Sequence, residues 1–193
     1  DKIYTADYYY VKFFDSDNGV IVCGYAKSND TNESSRIYST SNGGESWDIV
    51  GSGPATNIIK GVVYVSSDVG FFCYDYVEGM DSNLYKTDDG GKTFAKVMLE
   101  EQELDSSAAN PQGQETETKT DSGKNGADSS EQLRWGDVYK EALTPVVDST
   151  GIITIYLTQG KNAVYNDGKT AAKYQSSDKG STWKYIGQVE IKD

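Results

Sequence analysis

The sequence predicts an all-β protein, because its composition favours strands and its strand pattern repeats. Among 193 residues there are 15 Tyr and 20 Gly but only 3 Pro, a balance typical of pleated strands joined by many turns. Runs of β-branched and aromatic residues alternate with short stretches rich in Asp, Ser and Gly. Since the order of run, turn and run returns along the chain, the sequence indicates a repeat of small β units.

Three hairpins carry this repeat. They are predicted at 8–25, 58–77 and 143–157, each with a turn-rich stretch between two β-rich runs. The first turn begins at Asp15 and superficially resembles a calcium loop. The twelfth position of such a loop should be Glu but is Ala26 here, so the stretch predicts a hairpin turn rather than a metal site.

An eight-residue phrase follows each hairpin: TSNGGESW at 40–47, TDDGGKTF at 87–94 and SSDKGSTW at 176–183. The Asp or Asn oxygen can accept hydrogen bonds from backbone N–H groups of its own turn. The following Gly permits a positive φ, and the closing aromatic ring can anchor the turn in an apolar layer. The positions that form the pattern are Thr40, Asn42, Gly44, Ser46, Trp47, Thr87, Asp89, Gly91, Thr93, Phe94, Ser176, Asp178, Gly180, Thr182 and Trp183.

These phrases resemble the Asp-box, also called the bacterial-neuraminidase repeat (BNR). Their Gly-Gly forms are similar to those of the sortilin, photosystem-assembly and xyloglucan-cleaving propellers. The departures are Asn42 in the first copy and Phe94 in the second. In that family each box joins the third and fourth strands of a four-stranded antiparallel blade. The resemblance therefore implies a β-propeller, with blades at about 8–50, 57–99 and 138–191.

One segment, residues 100–132, falls outside the repeat. It holds nine acidic residues, two lysines and a single large apolar side chain, Leu104. Such a stretch buries too little apolar surface to offset its ordering entropy, so it predicts a disordered acidic insertion. The alternative is an acidic tail that binds cations or a partner.

The length predicts about three blades in a single propeller segment over 1–193. Without the insertion 160 residues remain, whereas propellers typically close with about four to eight blades of four strands. The three blades therefore make only part of a ring. Either a longer chain completes it, or further copies complete it, or the blades form an open stack. The first is favoured because the start at Asp1 and the strand-like end at Asp193 look cut.

Composition excludes several classes of function. The net charge is −12 and the pI about 4.4, which argues against nucleic acid or an anionic membrane as a partner. No run approaches the roughly 20 apolar residues of a membrane span. With no His and only Arg36 and Arg134 as arginines, His triads and His metal sites are excluded, and we expect neither a metal nor another cofactor. The arginine triad that the resemblance implies for a sialidase cannot be assembled either.

The sequence favours a non-catalytic recognition or scaffold module outside the cytoplasm, in a secreted or cell-surface protein, that binds a protein or a glycan. The first alternative is part of a glycoside hydrolase whose catalytic residues lie mostly outside this chain, and the second is a self-associating structural module.

The box residues are interpreted as structural, and Cys23 and Cys73 as two buried thiols rather than a disulfide. The predicted ligand-facing aromatics are Tyr8, Tyr9, Tyr10, Phe13 and Tyr64. The candidate carboxylates for a glycosidase are Asp68, Asp75, Glu78 and Asp148.

Overall fold

The computed structural model describes residues 6–25, 35–104, 134–160 and 165–191. These residues form three antiparallel sheets, which confirms the all-β class. Within these ranges no helix is long and apolar enough to cross a membrane.

Sheets 1 and 2 each contain four strands in chain order. Sheet 1 consists of β1 (Tyr8–Phe13), β2 (Gly19–Gly24), β3 (Ser35–Thr40) and β4 (Asp48–Ser52). Sheet 2 consists of β5 (Ile59–Tyr64), β6 (Gly70–Tyr74), β7 (Leu84–Thr87) and β8 (Ala95–Lys96). Each pair of successive strands is antiparallel and joined at alternate ends of the sheet.

Sheet 3 has the same four-strand path with one addition. Its strands are β9 (Glu141–Ala142), β10 (Val146–Val147), β11 (Ile153–Thr158), β12 (Thr170–Ser176) and β13 (Lys184–Glu190). The path is β10-β11-β12-β13, and β9 also pairs with β11. Two elements have no counterpart in the sequence prediction: the short helix α1 (Trp135–Val138) and a turn at Tyr165–Gly168.

The sheets stack face to face with sheet 2 in the middle. All five residues of β6 are buried, because alternate side chains point to opposite faces and each face is covered by a neighbouring sheet. Val22 and Ile37 of sheet 1 pack against Phe72 on one side, and Ile155 of sheet 3 packs against Phe71 on the other. Sheets 1 and 3 each keep one face that no other described sheet covers.

Candidate functional site

The repeated phrases form the turns between the third and fourth strands of each sheet, and we call them the repeat turns (40–47, 87–94 and 176–183). In the second, Asp89 Oδ1 accepts hydrogen bonds from the backbone N–H of Lys92 at 3.0 Å and of Thr93 at 2.8 Å. The Thr93 hydroxyl donates to Asp89 Oδ2 at 2.6 Å. Thr87 Oγ1 donates to the same carboxylate and accepts from the Gly91 N–H, both at 2.8 Å. These bonds satisfy the polar groups of the turn from within it.

The first repeat turn achieves the same closure with an amide. Asn42 Oδ1 accepts from the Ser46 N–H at 3.0 Å, while Asn42 Nδ2 donates to Ser46 Oγ at 2.9 Å. In the third turn, Thr182 Oγ1 instead donates to Asp178 Oδ2 at 2.6 Å. Hydrogen bonds from Thr93 and Thr182 hold the pKa of Asp89 and of Asp178 well below the usual range of a carboxyl.

Glycines and aromatic rings complete the repeat turns. Gly44, Gly91 and Gly180 have φ of 90°, 107° and 77°, where a side chain would be strained. The half-buried aromatic residues that close the turns contact phenylalanines edge to face: Trp47 with Phe13, Phe94 with Phe72 and Trp183 with Phe71. The predicted box residues therefore make hydrogen bonds and ring contacts within the chain, and Asp89 also lines a smaller pocket between sheets 1 and 2.

The structure separates the predicted ligand-facing aromatics into three groups. Tyr64 is only 1% exposed, so it is a packing residue between sheets 1 and 2 and not a ligand platform. Tyr8 and Tyr10 are half-buried, and their hydroxyls accept from the N–H of Val62 at 3.0 Å and of Tyr64 at 3.1 Å. Tyr9 and Phe13 are 63% and 44% exposed, on the face of sheet 1 that points away from sheet 2.

The glycosidase candidates divide between the two ends of the sheets. The Asp68 carbonyl accepts from Gly90 in a repeat turn, and Asp148 Oδ1 accepts from the N–H of Thr150 in the β10–β11 turn at the same end. Asp75 and Glu78 belong to the β6–β7 connection at the opposite end. They form ion pairs with Lys60 at 2.7 Å and Lys140 at 2.8 Å. The four carboxylates therefore do not converge on one site, as the paired acids of a glycosidase must.

The two cysteines are both free thiols. Cys73 is buried and burial raises its pKa to about 11, whereas Cys23 is half-buried, which corrects the expectation of two buried thiols. Cys23 pairs with Tyr9 across β1 and β2, so it lies on the open side of sheet 1, while Cys73 packs toward sheet 3. Among the described residues no group of His, Cys, Asp or Glu could hold a metal ion.

A cavity lies between sheets 2 and 3, at the end opposite the repeat turns. It is a cleft of about 370 Å³ formed by the connections at 76–83, 97–101 and 134–140, and this volume is in the range of small-ligand sites. Met80 and Met98 line it together with Trp135 and Tyr139. We call it the loop-end cleft.

Helix α1 places the aromatic wall of this cleft. The Trp135 ring lies 4.7 Å from that of Tyr139 and 5.3 Å, edge to face, from that of Tyr185. The Tyr139 hydroxyl is hydrogen-bonded to Thr170 Oγ1 at 2.7 Å. Because Trp135 and Tyr139 are 3% and 2% exposed, this wall is rigid and belongs to the core of sheet 3.

A buried amide ties the two sides of the cleft together. Asn83, 1% exposed, donates to the carbonyls of Tyr74 at 2.8 Å and of Ala142 at 2.9 Å. Asn83 Oδ1 accepts from the Ala142 N–H at 2.8 Å. The β6–β7 connection of sheet 2 is thereby fixed to β9 of sheet 3.

Charged side chains at the rim of the cleft are arranged in ion pairs. Asp81 lies 2.7 Å from Lys96, and Arg134 lies 3.1 Å from Asp137. The ammonium of Lys96 lowers the pKa of Asp81, which favours its ionised form. Glu101 also lines the cleft, with its carboxylate against the backbone of Gly136.

Sequence reasoning did not find this cleft. Trp135 falls between the predicted insertion and the predicted third blade, and Asn83 belongs to no motif. The available signal was the segment RWGDVY at 134–139, where two large aromatics and a Val follow directly on a polar stretch. Such a return of apolar residues indicates where the chain re-enters a core.

No protein-family model and no curated protein matches this chain. Among solved structures, a GH74 enzyme of Niastella koreensis aligns over 87% of the chain, with a TM-score of 0.41 and 16% sequence identity. The aligned part is 19% of that enzyme's chain, so the present chain spans about a fifth of its length.

Proposed function

We propose that this chain is a non-catalytic recognition module built from Asp-box propeller blades, that it acts outside the cytoplasm, and that it binds a glycan or a protein. The proposed location outside the cytoplasm follows from the resemblance of the repeat turns to the Asp-box. The three sheets would form part of a propeller ring. The loop-end cleft is the proposed binding site.

The observation that carries the proposal is the difference between the two ends of the sheets. At one end every connection is a short turn closed on itself, as the bonds of Asp89 and Asp148 show. At the other end the connections are long and enclose a cleft lined by Met80 and Met98, the latter 63% exposed. Binding residues are characteristically presented by such loops on a rigid scaffold.

The electrostatics of the cleft favour binding over catalysis. A glycosidase needs a general acid whose pKa is raised by its surroundings. At the rim of the cleft, the ammonium of Lys96 instead lowers the pKa of Asp81 and favours its ionised form. Asp81 and Asp137 at the rim each form an ion pair. Because their charges are compensated within the chain, the cleft suits a neutral ligand.

Calorimetric titration with oligosaccharides tests the proposal directly. We expect one class of neutral glucan or xyloglucan oligosaccharide to bind, and Met98→Glu to weaken that binding by about tenfold, since the side chain lines the cleft. Ile191→Glu is the matched control, because Ile191 is also exposed, at 44%, but lies outside the cleft. If Met98→Glu does not weaken the binding, the assigned site is wrong. If none of the sugars binds, a protein remains as the proposed ligand.

The glycoside hydrolase alternative rests on Glu101. Its carboxylate lines the cleft, and within the described part of the chain it forms no ion pair of the kind that holds Asp81 and Asp137. A second catalytic carboxylate would then come from outside the described residues. Turnover of a fluorogenic glycoside that disappears in Glu101→Gln would favour this alternative over the binding module.

A further inference from the structure

Sheet 1 has an open face that is apolar. Tyr8 and Tyr10 of β1 contact sheet 2, so the alternating side chains of Tyr9, Val11 and Phe13 point the other way. These three are 63%, 57% and 44% exposed. We define the open face of sheet 1 by Tyr9, Val11, Phe13, Ile21, Tyr38 and Ile49, the last of which is 63% exposed.

The same positions are buried in sheet 2. Val11 pairs with Ile21 in sheet 1 as Val62 pairs with Phe72 in sheet 2, and in each sheet this pair occupies the same distance from the repeat turn. Val62 and Phe72 are 4% and 0% exposed because sheet 1 covers them. The open face of sheet 1 therefore has the character of an interface between sheets, and no other sheet of the described residues covers it.

The open face of sheet 3 does not have this character. Register places Thr154, Tyr156 and Lys173 on it, at the positions that Phe71, Cys73 and Leu84 occupy in sheet 2. The sheet 2 residues are 0%, 2% and 1% exposed, whereas the sheet 3 residues are partly exposed and each carries a polar or charged group. Val146, 58% exposed, is an apolar residue on the same face. A polar outer face is what terminates a stack of repeats, so head-to-tail association of sheet 1 with sheet 3 would set apolar against polar surface.

Charge also favours contact between two identical open faces. The chain carries a net charge of −12, so two copies repel unless they meet where acidic groups are absent. None of the six residues that define the open face of sheet 1 is acidic, and register places the cation Arg36 on the same face, opposite Cys23. Asp48 at the edge lies on the side of sheet 2, lining the space between the two sheets.

We propose that two copies of this chain associate through the open faces of sheet 1, related by a two-fold axis. A two-fold interface uses the same patch twice, so it buries apolar surface against apolar surface. Four strands at about 4.8 Å spacing and six residues at about 3.3 Å rise give a face of about 19 by 20 Å. Two such faces cover about 760 Å² in total, below the roughly 1,000 Å² that a stable specific interface clears, so the dimer is weak and transient, with a Kd of about 0.1 mM.

Sedimentation velocity on the full chain between about 5 μM and 1 mM tests this proposal, because that interval brackets the expected Kd. We expect the mass to rise from one chain to two and to stop there. Val11→Asp should weaken the dimer by about 100-fold, since it buries two unpaired carboxylates of like charge. Val146→Asp is the control, because Val146 is 58% exposed, like Val11 at 57%, but lies on the open face of sheet 3.

The outcomes separate the possible occupants of the face. A dimer that Val11→Asp disperses and Val146→Asp preserves supports the two-fold pairing. A single chain at 1 mM, an open series of larger species, or equal sensitivity to both substitutions overturns it. Thermal unfolding of each variant establishes that it is folded, and Tyr9→Ser, a milder change on the same face, must weaken the dimer in the same direction.

Discussion

Asn83 provides the sharpest test of how sheets 2 and 3 are joined. Its amide makes three hydrogen bonds of 2.8–2.9 Å to the backbone of Tyr74 and Ala142. Asn83→Ala removes all three and leaves two buried carbonyls and a buried N–H without these partners. Each such group costs about 1–3 kcal/mol, and since some will relax or admit water, we expect a loss of about 3–5 kcal/mol in the free energy of unfolding.

Asn83→Asp keeps the size of the side chain and changes only its chemistry. The new carboxylate can still accept from the Ala142 N–H, but when ionised it faces the carbonyls of Tyr74 and Ala142 without a proton to donate. Burial and these carbonyls raise its folded pKa above the unfolded value. The free energy of unfolding of the variant, relative to that of the parent protein at the same pH, should therefore be highest below the unfolded pKa of about 4 and fall as pH rises through the folded pKa.

Urea unfolding followed by circular dichroism at several pH values measures both effects. Asn57→Ala is the control, because Asn57 is half-buried and its amide donates to the Asp75 carbonyl at 3.0 Å. We expect that variant to lose about 1 kcal/mol or less. The reasoning is refuted if Asn83→Ala costs no more than Asn57→Ala, or if acidification does not narrow the stability difference between Asn83→Asp and the parent protein.

Three further predictions concern the repeat turns and the contact between sheets 1 and 2. Because hydrogen bonds lower the pKa of Asp89 below the usual range of a carboxyl, the stability of its turn is present at neutral pH and is lost as pH falls below about 4. Asp89→Asn should weaken this acid sensitivity and Asn42→Asp should add to it, as chemical denaturation across pH 2–6 would show. Gly180→Ala should cost about 2 kcal/mol or more in thermal unfolding, since φ is 77° and the Phe71 ring lies against the position of a Cβ. Tyr10→Phe should cost about 1 kcal/mol by removing the acceptor of a backbone N–H, and an equal stability of the two proteins would contradict this role.

The sequence was sufficient to predict strands because their signals are local. Each of these signals depends on contacts within about ten residues. This is true of the alternating side chains in β1, of the turn after Asp15 and of the phrase at 87–94. Asp89 and Thr93, for example, are four positions apart and hydrogen-bonded. A spacing rule can express such a contact, so the turns between the third and fourth strands could be predicted from the sequence.

The loop-end cleft was not predictable in this way. Its contacts join residues far apart in sequence, as Asn83 and Ala142 do across 59 positions, and no spacing rule relates them. Tyr64 was misread for a related reason. Alternation assigns a residue to one of two faces but does not say which face is covered, and only the position of sheet 1 determines that Tyr64 is buried.

Asn42 shows that the repeat turn needs hydrogen-bond geometry rather than charge. In the turns with Asp, the carboxylate accepts from the hydroxyl four positions later, as Asp178 does from Thr182. In the turn with Asn, the amide donates to the Ser46 hydroxyl, and the backbone N–H of Ser46 is still accepted at 3.0 Å. A hydroxyl can be either donor or acceptor, so the turn closes in both cases. Because a neutral amide replaces the carboxylate without loss of these bonds, closing the turn requires hydrogen-bonding groups at this position and not a negative charge.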